Sequence, residues 1–305
     1  MLDELLARCS FPPVRTSVTC AFSGGPDSTA LLALARHAGL EVAAVHVDHG
    51  LRQSSFEEAL RAAAIADHLG VPTRILRVDV APGPNLQARA RSARSGVLPP
   101  GALIGHTADD RAETMLINLL RGAGVDGLAA MGPAPSRPLL RLRRSETAAL
   151  CAHLALEPIQ DPSNSDRRFV RSRVRHELIP LLDDIAGRDT VALLVRSGDV
   201  IADDLALADH VAGSLDASDA RALAAAPPAA ARRALRRWLA AGGYPPDVAT
   251  VGRVLAVARG NRRACELPGG RRVERHRQRL RIVGGTAVTS TSGMGTPTNF
   301  LGDSR

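Results

Sequence analysis

Between residues 18 and 28 the chain reads Val-Thr-Cys-Ala-Phe-Ser-Gly-Gly-Pro-Asp-Ser, and a helix-forming run follows at once. An apolar strand that empties into a glycine turn and then a helix start is a constrained arrangement. The first turn of a helix leaves backbone N–H groups unpaired and carries the positive end of the helix dipole, so an anion settles there. Gly24 and Gly25 let the chain turn and bring backbone close to a ligand, Pro26 suits the first helical position, and Ser23 and Ser28 add hydroxyl donors. With Asp27 these six residues are the candidate phosphate loop. It is neither a Walker loop, which needs a lysine, nor a G-x-G-x-x-G dinucleotide fingerprint.

The first half of the chain alternates strand-like and helix-like segments. Strands are expected at Val18–Phe22, Val42–Val47, Arg74–Val78 and Ala102–Gly105, and helices at Ser28–Ala38, Ser55–Leu69, Asn85–Gly96 and Asp109–Arg121. Single helices between strands imply βαβ units and an α/β fold, a doubly wound, mostly parallel sheet whose ligands bind beyond the carboxyl ends of its strands. The chemistry-bearing strings fall at those ends: SGGPDS after the first strand, VDHGLR (47–52) after the second, GHTADD (105–110) after the fourth.

Asp110 and Glu113, three apart, share the face of a helix near its N-terminus, where the dipole favours carboxylates. With Asp109 and His106 beside them they read as a Mg²⁺ site or a receptor for an amine. Further on, DPSNSDRRFVRSRVRHELIPLL (161–182) opens on turn residues and continues as a helix. That helix puts Arg168, Arg171 and Arg175 on one face and Val170, Val174 and Leu178 on another. Guanidinium groups in such a row suit phosphate, from ATP or from an RNA backbone.

All 39 basic residues are arginine, which excludes any mechanism needing an enzyme lysine. The charge is uneven: residues 1–185 carry a net +1, residues 186–220 a net −5 and residues 221–305 a net +12. A catalytic domain over 1–185, a helical connector over 186–216 and a small basic α+β domain over 217–284 fit this distribution, the last binding a polyanion. In that domain Arg232, Arg233, Arg236 and Arg237 flank Leu235, Trp238 and Leu239 on an amphipathic helix. Arg275, Arg277, Arg279 and Arg281 alternate, so on one strand they project from one face and offer that face to a polyanion. Residues 285–305, rich in Thr, Ser and Gly, are expected to form a disordered tail. The four cysteines contain no C-x-x-C and suggest neither a disulfide framework nor a zinc knuckle. With no apolar run of about 18 residues and no secretory leader, a soluble cytoplasmic protein away from membranes is expected.

Taken in order, SGGPDS, HVDHGLR, GHTADDRAETMLINLLRGAG and DPSNSDRRFVRSRVRHELIPLL resemble the motifs of the tRNA(Ile)-lysidine synthetases. RRALRRWL and LPGGRRVERHRQRLRI look like that family's small tRNA-binding domain, so the resemblance covers roughly residues 16–283. It implies an ATP pyrophosphatase loop and a two-step reaction. ATP adenylates the 2-carbonyl oxygen of the wobble cytidine in the CAU anticodon of an isoleucine tRNA, releasing pyrophosphate; the ε-amine of free L-lysine then displaces AMP to give lysidine. The resemblance further implies Mg²⁺ as cofactor, with Asp27 contacting the pyrophosphate and the metal, Asp110 and Glu113 handling the lysine, and Arg171 and Arg175 near the reacting groups. Arg232, Arg236, Arg275, Arg277 and Arg279 fall to the tRNA. A cationic amine needs carboxylate receptors, and a developing pentavalent phosphate needs cations.

The chain departs from the family at Ser92-Ala93-Arg94-Ser95, where Ala-Arg-Tyr is usual, which touches Arg91 and Arg94. It resembles the shorter members, with one C-terminal domain. Three other readings fit less well. A tRNA-thiolating relative usually needs paired cysteines or a cluster; an amidating relative such as an NAD synthetase does not need so basic a domain; an RNA-binding module without catalysis does not need the whole set of loop and acidic residues. The oligomeric state stays open, a homodimer included.

Overall fold

The computed structural model describes residues 1–48, 55–78, 89, 93, 96–159, 166–241 and 246–284. The chain divides into two compact units, Met1–Asp203 and Asp204–Arg305. In the first, α1 (Leu2–Leu6) is followed by β1 (Ser17–Ala21), α2 (Pro26–His37), β2 (Glu41–Asp48), α3 (Ser55–His68), β3 (Thr73–Arg77) and β4 (Leu103–Ile104). Then come α4 (Ala108–Leu120), α5 (Val125–Leu128) and α6 (Arg144–His153). A helical stretch follows, made of α7 (Val170–Arg173), a π-turn over Val174–Leu178 and α8 (Ile179–Ala186). The division between the units falls inside α9 (Thr190–Gly213).

The four strands are parallel and ordered β3-β2-β1-β4. The chain builds outward on one side of β1 and then crosses to its other edge, so the strand order reverses between β1 and β4. In open α/β sheets that reversal opens the crevice where ligands bind. β2 is buried on both faces over much of its length, as a parallel strand covered by helices must be. α2 buries every residue from Ser28 to Ala35, because it lies against the sheet and packs on α6 as well. Leu31, Leu32 and Leu34 are wholly inaccessible; each such side chain contributes about 1.5–3 kcal/mol of burial. The helix that carries the phosphate loop is therefore anchored in the first unit's main core.

The expected helix over Asn85–Gly96, with Arg91 and Arg94, lies largely outside the described residues. So do the end of VDHGLR, the turn residues 161–165 and the tail 285–305.

The second unit packs α10 (Ala220–Ala225), α11 (Pro228–Ala240) and α12 (Val248–Ala258) with an antiparallel sheet of β5 (Ala264–Leu267), β6 (Arg271–His276) and β7 (Arg279–Gly284). Leu223, Leu235, Val254 and Val273 are fully buried in its core. One expectation is corrected here: Arg275, Arg277, Arg279 and Arg281 do not share a strand. Arg277 and Gln278 take left-handed φ values of 45° and 66°, and His276 pairs with Arg279, so the four arginines straddle a two-residue hairpin turn. Alternation alone cannot distinguish one strand from two joined by so short a turn, and the Gly or Asn that usually marks such a turn is absent. Among the described residues no helix is long and apolar enough to cross a membrane.

Candidate active site

The loop after β1 is closed by its own serines. Ser28 Oγ donates to the Gly25 carbonyl at 3.0 Å and accepts from the Ser23 amide at 3.2 Å. Gly24 sits at φ +80°, and a Cβ there would meet Ile159 Cδ1 at 2.6 Å. Gly25 is the N-cap of α2, so the first-turn amides face the crevice end of the sheet. Across the strand reversal, a Cβ on Gly105 would lie 2.7 Å from the Asp27 carbonyl oxygen and 3.1 Å from the Ser28 nitrogen. Only glycine lets the end of β4 press against the first turn of α2, and this contact sets the two loops side by side.

Three carboxylates and three arginines meet there. Glu113, with 0% of its side chain exposed, accepts from Arg144 Nη1 at 2.9 Å, Arg171 Nε at 2.7 Å and Arg175 Nε at 2.7 Å. Asp110 Oδ1 accepts from Arg144 Nη2 and Arg171 Nη2, each at 3.1 Å. Its Oδ2 accepts from the Thr107 amide at 2.9 Å, closing the N-terminal cap of α4. Asp27 Oδ2 accepts from Arg144 Nε at 3.3 Å, while Oδ1 accepts from the Thr147 hydroxyl. Arg144 thus bridges all three acids. Arg171 and Arg175, four residues apart, reach Glu113 from one face of the helical stretch, and Arg175 lies in its π-turn over Val174–Leu178, a feature common at functional sites.

The electrostatics separate the carboxylates. Burial pushes Glu113 up, but the Arg175 hydrogen bond and the charges of Arg144, Arg175 and Arg171 outweigh it and hold the carboxyl at about 2. Asp27 goes the other way: burial raises it, and the Thr147 and Arg144 contacts do not fully offset that. Arg144 itself, though burial opposes its charge, is held more firmly protonated by Asp110, Glu113 and Asp27. The three acids and three guanidiniums balance in charge.

The PP-loop domain family matches residues 2–182, and the TilS substrate binding domain family matches residues 219–281. A tRNA(Ile)-lysidine synthase of Nocardia farcinica is 43% identical over 244 residues, covering 75% of this chain and 77% of the relative. The chain belongs to the tRNA(Ile)-lysidine synthase family. A second member, from Rhodococcus opacus, is 41% identical over 242 residues, covering 74% of each chain. A U34-tRNA thiolase of Methanococcus maripaludis has a similar fold, with a TM-score of 0.55 at 18% identity over 66% of this chain and 76% of that one.

Set in the lysidine synthase framework, Asp27, Asp110, Glu113, Arg171 and Arg175 converge. Two neighbours expected beside them do not. Asp109 turns away to pair with Arg143 and to cap α6 through the Arg144 amide at 2.8 Å, and these contacts overcome burial to lower its pKa. Arg168 lies before the helix begins, 85% exposed and paired with Asp166. Among the described residues no group of three or more His, Cys, Asp or Glu is placed to hold a metal ion; the positive groups beside Asp110 and Glu113 are the guanidiniums of Arg144, Arg171 and Arg175.

Sequence reasoning missed Arg144 and Thr147. A signal existed: Arg143 and Arg144 stand at the first turn of a helix, where the dipole disfavours cations, and such a placement asks for anionic partners.

In the second unit Arg232 and Arg277 are exposed and Arg236 is half-buried. Arg279 is also exposed, with Nη1 donating to Asp216 at 2.7 Å. Arg275 turns inward, Nη1 donating to the Ala258 carbonyl at 3.0 Å at the C-terminus of α12, where a cation complements the dipole. Arg233 forms a two-point pair with Asp209 at 2.6 and 2.8 Å.

Proposed function

We propose that this enzyme joins free L-lysine to C2 of the wobble cytidine in the CAU anticodon of an isoleucine tRNA, in two ATP-driven steps. In the first, the cytidine 2-oxygen attacks the α-phosphate of ATP and pyrophosphate leaves. In the second, the lysine ε-ammonium gives a proton to solvent, the free amine attacks C2, AMP leaves with the oxygen, and the nitrogen gives a second proton to solvent to yield lysidine. The observation that carries this reading is the convergence of the phosphate loop (Ser23, Gly24, Gly25, Pro26, Asp27, Ser28) with the Asp110–Glu113 pair at one strand reversal.

Each residue takes a role from its surroundings. The serine-braced loop and the first amides of α2 receive the triphosphate. Arg171 and Arg175 steady charge that develops on the transferring phosphate. Asp110 and Glu113 receive the lysine ammonium; Glu113, held at about 2, is too weak a base to take the amine's proton and serves as a fixed anion. Mg²⁺ commonly uses one or two carboxylates plus substrate phosphates, and Asp27, 23% exposed beside the phosphate loop, fits that donor set. Asp27 would hold the ion, which neutralises charge on the pyrophosphate leaving group.

In this reading residues 1–185 form the catalytic domain, 186–216 a connector and 217–284 the tRNA-binding domain. Arg232, Arg236, Arg277 and Arg279 meet tRNA phosphates, and Arg275 shapes the hairpin that presents them. The enzyme works in the cytoplasm, where its tRNA and free lysine are found.

The test is incorporation of radiolabelled lysine into an unmodified CAU-anticodon isoleucine tRNA, with ATP present or omitted. ATP-dependent label on the wobble cytidine is expected. AMP formation with tRNA but without label would keep the ATP chemistry and reject lysine as the nucleophile.

A further inference from the structure

Arg144 makes the contacts that a substrate ammonium would have to make. Its Nη1 and Nη2 lie 2.9 and 3.1 Å from Glu113 and Asp110, the two acids to which the preceding reading gives the lysine. A second cation added to this site would leave four positive groups against three negative ones in a partly buried space, where like charges repel strongly. Among the described residues, Arg144 is also the arginine of the three that reaches Asp27 in the phosphate loop, at 3.3 Å, the longest of its contacts with the acids.

Its departure would leave no acid unpaired. Asp27 keeps the Thr147 hydroxyl, Asp110 keeps Thr107 and Arg171, and Glu113 keeps Arg171 and Arg175. Arg144 is 24% exposed at the first residue of α6, and the planar guanidinium binds phosphate at two points.

We propose that Arg144 is a resident cation that competes with lysine for Asp110 and Glu113 and yields them when nucleotide phosphates at the 23–28 loop draw its guanidinium away. This rests on the lysidine synthase reading and adds an order to it: nucleotide first, lysine second. Arg144 acts here through the carboxylates, as a positioning residue.

The test is calorimetric titration of L-lysine into the full-length protein with and without α,β-methylene-ATP, which cannot release pyrophosphate. For the wild type, lysine affinity is expected to rise at least tenfold when the analogue is bound. Arg144→Gln is expected to bind lysine equally with or without analogue, and Arg144→Lys, which keeps the cation, to retain the dependence. Wild-type affinity that ignores the analogue would overturn the proposal, and so would a folded Arg144→Gln that retains the full dependence. If Arg144→Gln does not fold, the wild-type comparison decides alone. Wild type that incorporates lysine into tRNA but shows no nucleotide dependence sinks only the Arg144 gate; wild type that incorporates none sinks the lysidine synthase reading and this inference with it.

Discussion

Glu113 and Arg175, 62 residues apart in the chain, form a two-point ion pair with Nε 2.7 Å from Oε1 and Nη2 3.3 Å from Oε2, around a carboxylate that has no exposed surface. A charge so placed survives only with its partners, and removing one member of a buried pair typically costs about 3–5 kcal/mol. The same pair helps to hold the acid in its ionised form.

That fixed state has a pH signature. Against burial, Arg175, Arg144 and Arg171 together depress the folded pKa of Glu113 from 4.5 to about 2, so these pairs stabilise fully above pH 4.5 and their contribution fades as pH falls toward 2. The shift corresponds to about 3 kcal/mol. Urea midpoints measured from pH 7 down to pH 3 should fall more steeply for the wild type than for Glu113→Gln, which starts lower but lacks this proton linkage. Parallel curves would show that Glu113 is not held ionised.

Asp27 carries the opposite sign. Its folded pKa is raised, chiefly by burial, so the ionised form costs stability above its ordinary pKa, and Asp27→Asn should keep or raise the melting temperature at pH 7. ATP-dependent pyrophosphate release should nevertheless drop by about 100-fold or more, as expected for a charge that serves the transition state. A variant that both melts early and loses activity would mark Asp27 as structural.

Asp110→Asn can still accept the Thr107 cap through its amide oxygen, so the fold should persist. Lysine transfer is expected to fall at least about tenfold, the scale of one lost charged contact, while filter-bound tRNA affinity stays within error. Equal loss of both would point to a folding role.

Gly105→Ala should damage the nucleotide site from a distance. Its Cβ would sit 2.7 Å from the Asp27 carbonyl oxygen and 2.9 Å from the carbonyl carbon, both backbone atoms that cannot rotate aside. A displaced first turn of α2 is expected to lower kcat/KM for ATP by about 10- to 100-fold with unchanged tRNA binding, measured by pyrophosphate release and filter binding.

Arg277 separates backbone from charge. Its φ of 45° costs a non-glycine residue on the order of 1 kcal/mol, so Arg277→Gly should stabilise the hairpin modestly in a thermal melt. With Arg277 on the proposed tRNA surface, the same change should also flatten the dependence of log tRNA affinity on log salt by about one. A salt slope left unchanged would remove Arg277 from the tRNA surface.

Much of this protein was legible in its residues because the signals were local. The strand, glycine turn and helix start around Ser23–Ser28 follow from backbone sterics and unpaired amides, and the parallel α/β sheet follows from the alternation of strand and helix periods. The spacing of Asp110 with Glu113 and of Arg171 with Arg175 fixed which side chains share a face. It did not fix what that face meets: Arg171 and Arg175 pair with Glu113, Asp109 and Asp110 part company one residue apart, and the C-terminal arginine row breaks at a turn. Arg144 shows the reason most plainly. It lies 117 residues from Asp27 and 31 from Glu113, and no local period encodes which distant charge a guanidinium will find. Backbone geometry is set by neighbours in the chain, whereas ion pairing in a crevice is set by which segments the packed core brings together, and only the tertiary structure decides that.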